Sequence, residues 1–282
     1  MSHSHAGTVR HNEATMSSTI AFVHAHPDDE ALLTAGTMAK AAAQGHRVIL
    51  IMATDGAAGL TSTDFADQLA STRQDELHAS AGRLGVGALH ELGYPDSGLV
   101  ADRPDGFAGQ PVIDIARRIA EIFDAESVDI AVGYDKQGGY GHPDHRHVHT
   151  CTRAATVLAA RPPRLFEATL PREPIAAAVR AAARLGLTPP TFDPTEFEHA
   201  WTPNGQITNR VNIRRYWEAK RDALRAHASQ SAADDTVRTL GVMTRIPLPV
   251  LKAIAGYEYY VGVPHAAITS DAVTGNGSQF TR

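Results

Sequence analysis

The chain carries a single cysteine, Cys151, in 282 residues. An intramolecular disulfide and a cysteine-rich zinc module are therefore excluded, and the composition fits a reducing compartment. Basic charge is also short: 26 Lys and Arg stand against 31 Asp and Glu, a formal net charge of -5, with no Lys/Arg run and no basic stretch interleaved with aromatics. Such a surface cannot neutralise a phosphate backbone well, so nucleic acid is not an expected partner. Nowhere do about 18 apolar residues follow one another, so no transmembrane helix and no membrane partner are expected. A G-x-S-x-G elbow, a Walker loop, a dinucleotide fingerprint and a C-x-x-C pair are all missing, which argues against serine hydrolase, NTPase, dehydrogenase and thiol redox chemistry.

What is present is ordinary globular material, 43% hydrophobic and 20% charged, enough for one sizeable core. Residues 1–18 are polar without an apolar leader segment and read as a frayed tail; residues 266–282 read as a flexible one. Between them, residues 19–265 form one expected catalytic domain with a C-terminal elaboration from about residue 171, cytoplasmic by default. A homo-oligomer is compatible with all of this.

The apolar pattern alternates strand and helix. Residues 18–24 (STIAFVH) read as a buried strand, 29–44 as a helix with acidic residues in its first turn and Gly45 just past its end, and 47–53 (RVILIMA) as a second strand. Helices at about 64–84, 111–125 and 143–160 and strands at 88–92, 128–134 and 164–170 continue the series. Past Pro162-Pro163 the pattern loosens, with an Ala-rich helix at 174–185 and an amphipathic one at 214–227. This order predicts an α/β fold, a Rossmann-like three-layer α/β/α arrangement on a mostly parallel sheet. Cys151 falls in a helix and reads as a packing residue.

Chemistry concentrates in two places. His24-Ala25-His26-Pro27-Asp28-Asp29-Glu30 puts two imidazoles and three carboxylates into seven residues at the end of a strand. Adjacent carboxylates repel, and a cation would supply the compensating charge. About 115 residues later Gly138-Gly139-Tyr140-Gly141-His142-Pro143-Asp144-His145 repeats His-Pro-Asp in another strand-to-helix loop. In a parallel sheet such loops emerge on one edge, so the two can converge. Either cluster alone reads equally well as caps and Asx-turns; together they offer the imidazole and carboxylate donors of a hydrolytic metal site. The histidines at 145, 147 and 149 could form a rival helix-borne set, but a helix surface past its first turn points away from the sheet edge, so His147 and His149 read as surface residues.

These motifs, with Arg73-Gln74-Asp75-Glu76-Leu77, Leu92 to Gly98 and KRDALRAHASQ at 220–230, resemble the PIG-L/LmbE-like metal-dependent de-N-acetylases over residues 19–232, and most of all their actinobacterial mycothiol-pathway branch. The resemblance implies Zn²⁺, or Fe²⁺ or another divalent metal, held by His26, Asp29 and His145. Asp28 would be the general base, and His142 would stabilise the oxyanion or protonate the leaving amine, with Asp144 orienting it. Tyr140 would assist at the oxyanion. Arg73 and Asp96 would contact an amino-sugar conjugate, although Arg73 could instead pair with Glu76 on a solvated face and Asp96 could merely shape its turn. His227 and Gln230 match a further motif without an assigned role. The expected reaction is removal of an N-acetyl group; the rivals are an amidase cleaving a larger acyl group from a thiol conjugate and a non-catalytic carbohydrate-binding protein.

Overall fold

A computed structural model describes residues 17–56, 63–98, 103, 105–186, 193–231 and 243–268. The expected N-terminal tail lies outside them apart from residues 17 and 18. Of the expected C-terminal tail, residues 266–268 complete a helical turn that buries Ile268, and 269–282 lie outside.

Strand β1 (Thr19–His24) is fully shielded from Ala21 onward because neighbours flank it on both sides. It pairs in parallel with β2 (Arg47–Thr54) on one side and β4 (Ile130–Tyr134) on the other, and β2 pairs with β3 (Ala88–Tyr94). β5 (Arg164–Thr169) continues the parallel set beside β4. The order is β3-β2-β1-β4-β5-β7-β6, in which β7 (Tyr257–Val263) and β6 (Asn209–Asn212) join antiparallel. The sheet is thus mostly parallel, as expected, with an antiparallel edge that the sequence reading did not include.

Chain direction across the sheet reverses between β1 and β4: the chain after β1 moves to β2, and the chain after β4 moves to β5. Open α/β sheets bind ligands outside the carboxyl ends of strands at such a switch point. Both His-Pro-Asp loops leave the sheet there. The helix after β1 opens with a π-helical turn, Glu30–Thr34, before α1 (Ala35–Ala43), and Gly45 ends it at φ +84. α2 (Thr63–Leu84) and α6 (Trp217–Ala226) pack together, as do α3 (Val112–Ala125) and α4 (Pro143–Leu158). α5 (Arg172–Arg184), the short α7 (Ala228–Ser231) and α8 (Leu248–Ile254) belong to the C-terminal part. Trp217, Ala223 and Leu224 form the apolar face of α6, and its sequence-predicted N-terminal turn is 3-10 helix. Cys151 is buried in α4, where burial pushes its thiol well up, as suits a packing residue. No helix among the described residues is long and apolar enough to cross a membrane.

Candidate metal centre and active site

The loop after β1 is held tightly. Thr54, at the end of β2, donates to the Ala25 carbonyl from both its amide and its hydroxyl. Pro27 restricts the turn, and Asp28 follows at φ +127, a conformation an L side chain rarely adopts. Holding a non-glycine residue there costs about 1–3 kcal/mol, and such strain clusters at functional sites. The turn brings the Asp29 carboxylate back over His26, whose backbone N–H donates to Asp29 Oδ2 at 2.9 Å.

From the other loop, α4 brings His145 to the same place. His26 Nδ1, Asp29 Oδ2 and His145 Nε2 form a triangle with every side 3.2 Å. Tetrahedral coordination with bonds of about 2.0–2.1 Å puts donor atoms about 3.3 Å apart, so the triangle has the size one cation's donor set requires. The far nitrogens say more. His145 Nδ1 lies 3.2 Å from the Gly138 carbonyl, which can only accept, and His26 Nε2 lies 3.1 Å from Asp144 Oδ2. When those outer nitrogens donate, each neutral ring turns its lone pair to the triangle, the tautomer that a bound cation would select. Two lone pairs and a carboxylate oxygen at this separation repel one another unless a cation, or in its absence a proton on His26, lies between them.

Asp29 is held by Tyr134, whose hydroxyl donates to Oδ2 at 2.6 Å and accepts from the Ala25 N–H at 3.1 Å while its ring stacks on His145 at 4.3 Å. Burial would raise the Asp29 carboxyl, but His145 and His26 outweigh it and hold it well below the usual range. Burial likewise opposes protonation of His26, yet Asp144, Asp29 and Asp96 hold its proton far above the usual imidazole range.

Two further donor groupings share His26. The ring nitrogens of His142 lie near His26 and His145, and Asp96 and Asp144 lie near His26. The Asp144 backbone N–H donates to His142 Nδ1 at 3.2 Å, so neutral His142 carries its hydrogen on Nε2 and faces the site as a donor rather than a ligand. Asp96 and Asp144 sit on His26 Nε2, away from the triangle. Of the three groupings, the 3.2 Å triangle alone offers inward lone pairs with a carboxylate oxygen, and it is the candidate metal site. His24, adjacent in sequence, is spoken for by Thr34 at 2.8 Å and Tyr134 at 3.3 Å, and burial lowers it to about 4.

Asp28 is partly buried beside this group. Burial and the charge of Asp29 push its carboxyl up to about 7, against the pull of His227, Arg73 and His26. Burial, then the positive character of His26 and His145, lowers His142 to about 4. The expectation that Asp144 orients His142 needs correction in its means: the contact runs through the Asp144 backbone, while the carboxylate accepts from His26 and from Ser97 N at 3.0 Å. Tyr140 is half exposed, with its ring 5.3 Å from His145 and 6.1 Å from His142. Gly139 and Gly141 on either side have φ of +67 and +102, which only glycine adopts freely.

Arg73 is buried, and a Cβ on Gly56 would stand 2.3 Å from its Nη1. The alternative of a solvated pair with Glu76 does not hold, because Arg73 is 6% exposed and the Glu76 carboxylate accepts from Ser229. Asp96 does shape its turn, accepting from Gly98 N at 2.8 Å, but its Oδ1 also lies 3.6 Å from His26 Nε2. His149 is not a surface residue: it is packed under β4, 3.0 Å from the Tyr134 carbonyl and 3.3 Å from Glu167. His147 is half-buried against Phe107. The sequence reading missed Tyr134, because a tyrosine ending an apolar strand reads as core. It also missed Trp201, which packs on Gly139 beside Tyr140.

The family model described as PIG-L, GlcNAc-PI de-N-acetylase, matches residues 21–156, a span that contains both loops. A 1D-myo-inositol 2-acetamido-2-deoxy-alpha-D-glucopyranoside deacetylase from Acidothermus cellulolyticus is 33% identical over 87% of this chain and 89% of its own length. One of the same name from Thermobifida fusca is 36% identical over 76% and 84%. Among solved structures, the N,N'-diacetylchitobiose deacetylase from Pyrococcus horikoshii superposes with a TM-score of 0.56 at 22% identity, covering 88% of this chain and 83% of that one. The 4-carboxy-2-hydroxymuconate hydratase from Pseudomonas putida KT2440 reaches 0.59 at 15% identity, covering 88% and 96%. At these identities the structural likeness speaks to fold alone. The chain belongs to the GlcNAc-PI de-N-acetylase (PIG-L) family, and its reaction class is hydrolytic N-deacetylation.

Proposed function

We propose that the chain is a zinc-dependent de-N-acetylase of N-acetylglucosamine joined to a polyol, with His26, Asp29 and His145 as metal ligands. The 3.2 Å triangle of two imidazole lone pairs and one carboxylate oxygen carries this reading. Nitrogen and carboxylate donors suit Zn²⁺ and also Fe²⁺. The names of the relatives support a glucosaminide of inositol as the substrate.

When bound, the cation lowers the pKa of a water towards about 7 and polarises the amide carbonyl. Asp28 then takes a proton from the attacking water. A carboxyl whose burial opposes its ionisation can take a proton and give it back, so the same group delivers that proton to the departing amine nitrogen. His142, neutral and presenting Nε2–H, donates a hydrogen bond to the carbonyl oxygen as it gains negative charge. Its preference for the neutral form makes it a donor to the oxyanion rather than the acid for the amine. Tyr140, on its glycine-flanked segment, adds a second donor from the open side. Asp144 keeps the His26 ring oriented by accepting from Nε2. Arg73 and Asp96 present polar groups to sugar hydroxyls from the buried wall of the site.

Acetate or longer-acid release from a panel of N-acylated sugars tests this reading. N-acetylglucosaminyl-inositol should be the best substrate, chelation should abolish turnover, and Zn²⁺ or Fe²⁺ should restore it. Asp28→Ala should keep its metal and lose activity by a factor on the order of a hundred. Full activity in Asp28→Ala would overturn the assignment of the base, and preference for a longer acyl group would replace deacetylase by amidase.

A further inference from the structure

The third carboxylate of the first loop, Glu30, takes no part in the chemistry above, yet it is completely buried. Buried carboxylates need partners on both oxygens. Glu30 Oε1 accepts from Ser80 Oγ at 2.6 Å and lies 2.6 Å from His227 Nε2. Its other oxygen, Oε2, accepts the backbone N–H of Asp28 at 3.0 Å. His227 is itself completely buried and comes from 197 residues away in the chain, at the C-terminal end of α6. Among the described residues its Nδ1 has no hydrogen-bond partner, and its Nε2 is engaged with Glu30.

The peptide that Glu30 holds is the strained one. Asp28 sits at φ +127, and a backbone in that region persists only when its surroundings over-determine it. The clamp is braced from outside as well. Glu76 accepts from the backbone and hydroxyl of Ser229 at 2.8 and 2.7 Å, which fixes the residues after His227 to α2. Arg73, Glu76 and Ser80 are spaced at i, i+3 and i+7, one stripe of α2 that faces the loop. Trp217, Lys220 and Leu224 lie on the buried face of α6.

We propose that His227 and Ser80 act through Glu30 as positioning residues for Asp28, so that the C-terminal elaboration fixes the geometry of the catalytic base without touching substrate or metal. This rests on the reading of Asp28 as that base. It accounts for the otherwise unassigned histidine of the KRDALRAHASQ segment and predicts a specific kinetic signature.

The test uses the metal-loaded full chain and four variants: Glu30→Gln, His227→Gln, Ser80→Ala and Asp28→Asn. Glu30→Gln keeps the shape but turns an N–H of its amide towards either His227 or the Asp28 peptide. It and His227→Gln should lower kcat about 10–100-fold, as losses of supporting contacts commonly do, with KM and bound metal unchanged. Ser80→Ala, which removes one small hydroxyl and should fold, is expected to show the same pattern to a smaller degree. Combined with Asp28→Asn, whose residual rate is read over long incubations, Glu30→Gln should cause no further loss. A merely structural role predicts something different: loss of metal or a rise in KM alongside kcat, or a further loss in the Asp28→Asn background. Any of these overturns the proposal, as does full kcat in both Glu30→Gln and Ser80→Ala. If Asp28→Asn alone is fully active, the reading of the base fails first. An inactive Asp28→Asn beside unimpaired Glu30→Gln and Ser80→Ala rejects the clamp and leaves the base standing.

Discussion

Tyr134→Phe isolates one hydroxyl of the metal centre. The ring is 1% exposed and stacked on His145 at 4.3 Å and 16°, and phenylalanine preserves that contact, so His145 stays in place. What disappears is a donor to Asp29 Oδ2 at 2.6 Å and an acceptor for the Ala25 N–H at 3.1 Å. A hydrogen bond to a charged group is worth about 1.5–3 kcal/mol, and an orphaned buried N–H costs a further 1–3 kcal/mol. The metal-free variant should therefore unfold in urea with a stability lower by about 2.5–6 kcal/mol. Asp29, held afterwards by the His26 N–H without the Tyr134 hydroxyl, gains rotamers that do not point at the triangle, and supporting contacts of this type are worth about 10–100-fold in metal affinity. Competition with a chromogenic chelator reads that affinity directly. At saturating zinc, kcat should return to within a few-fold of the parent, because Asp28 and His142 are untouched. A zinc affinity within twofold of the parent would refute the reasoning, since it would mean that Asp29 either needs no tether or is not a ligand.

Three further substitutions probe other parts of the site. In the metal-free chain Asp28 is raised from 3.8 to about 7, so its ionisation penalises the folded state fully above about pH 7 and not at all below about pH 4. Asp28→Asn should therefore stabilise the metal-free protein at pH 8 and leave it unchanged at pH 4, as denaturant titrations at the two pH values would show. His142→Ala should lower kcat by about 10²–10³-fold, the usual loss for one oxyanion donor, with zinc content intact; a fall in zinc content would make His142 a ligand instead. Asp144→Asn should weaken zinc binding about tenfold by loosening His26, and an unchanged affinity would show that the His26 Nε2 contact is dispensable.

The parts of the site that could be read from sequence are those that local chemistry determines. A short apolar strand followed by His-Pro-Asp signals a strand-to-helix loop whichever sheet it joins, and two such loops in a parallel sheet share an edge. That reasoning brings the two loops to one sheet edge before any coordinates are known, and the choice of His26, Asp29 and His145 among their residues rests on the family resemblance. It fails where the decision is tertiary. Asp28, Asp29 and Glu30 look equivalent in sequence, but the positive φ at Asp28 and the π-helical turn after it send Glu30 to Ser80 and His227 while Asp29 turns back to His26. His149 falls on the flank of α4 that Glu167 and the end of β4 cover, and nothing in its own neighbourhood of the sequence reveals that partner. Residues 257–263 (YEYYVGV) carry a β-branched and aromatic strand signal, but they follow a long aperiodic stretch, and only docking beside β5 makes them part of the sheet.

The sheet alone does not choose the reaction, since a hydratase shares it at a TM-score of 0.59. The choice lies in how three loop groups are protonated. With His145 donating to Gly138 and His26 to Asp144, both neutral rings turn lone pairs inward, as a cation held there would require. His142 is committed through the Asp144 backbone, so it turns a hydrogen inward to an oxygen. Each outcome follows from a single contact made on the far side of a ring. Exchanging any one contact, such as a donor in place of the Gly138 carbonyl, would flip the tautomer and convert ligand to donor or donor to ligand. On this reading the hydrolytic character of the site is set one contact away from the reacting atoms, by two backbone groups and one carboxylate that the strand-to-helix turns themselves supply.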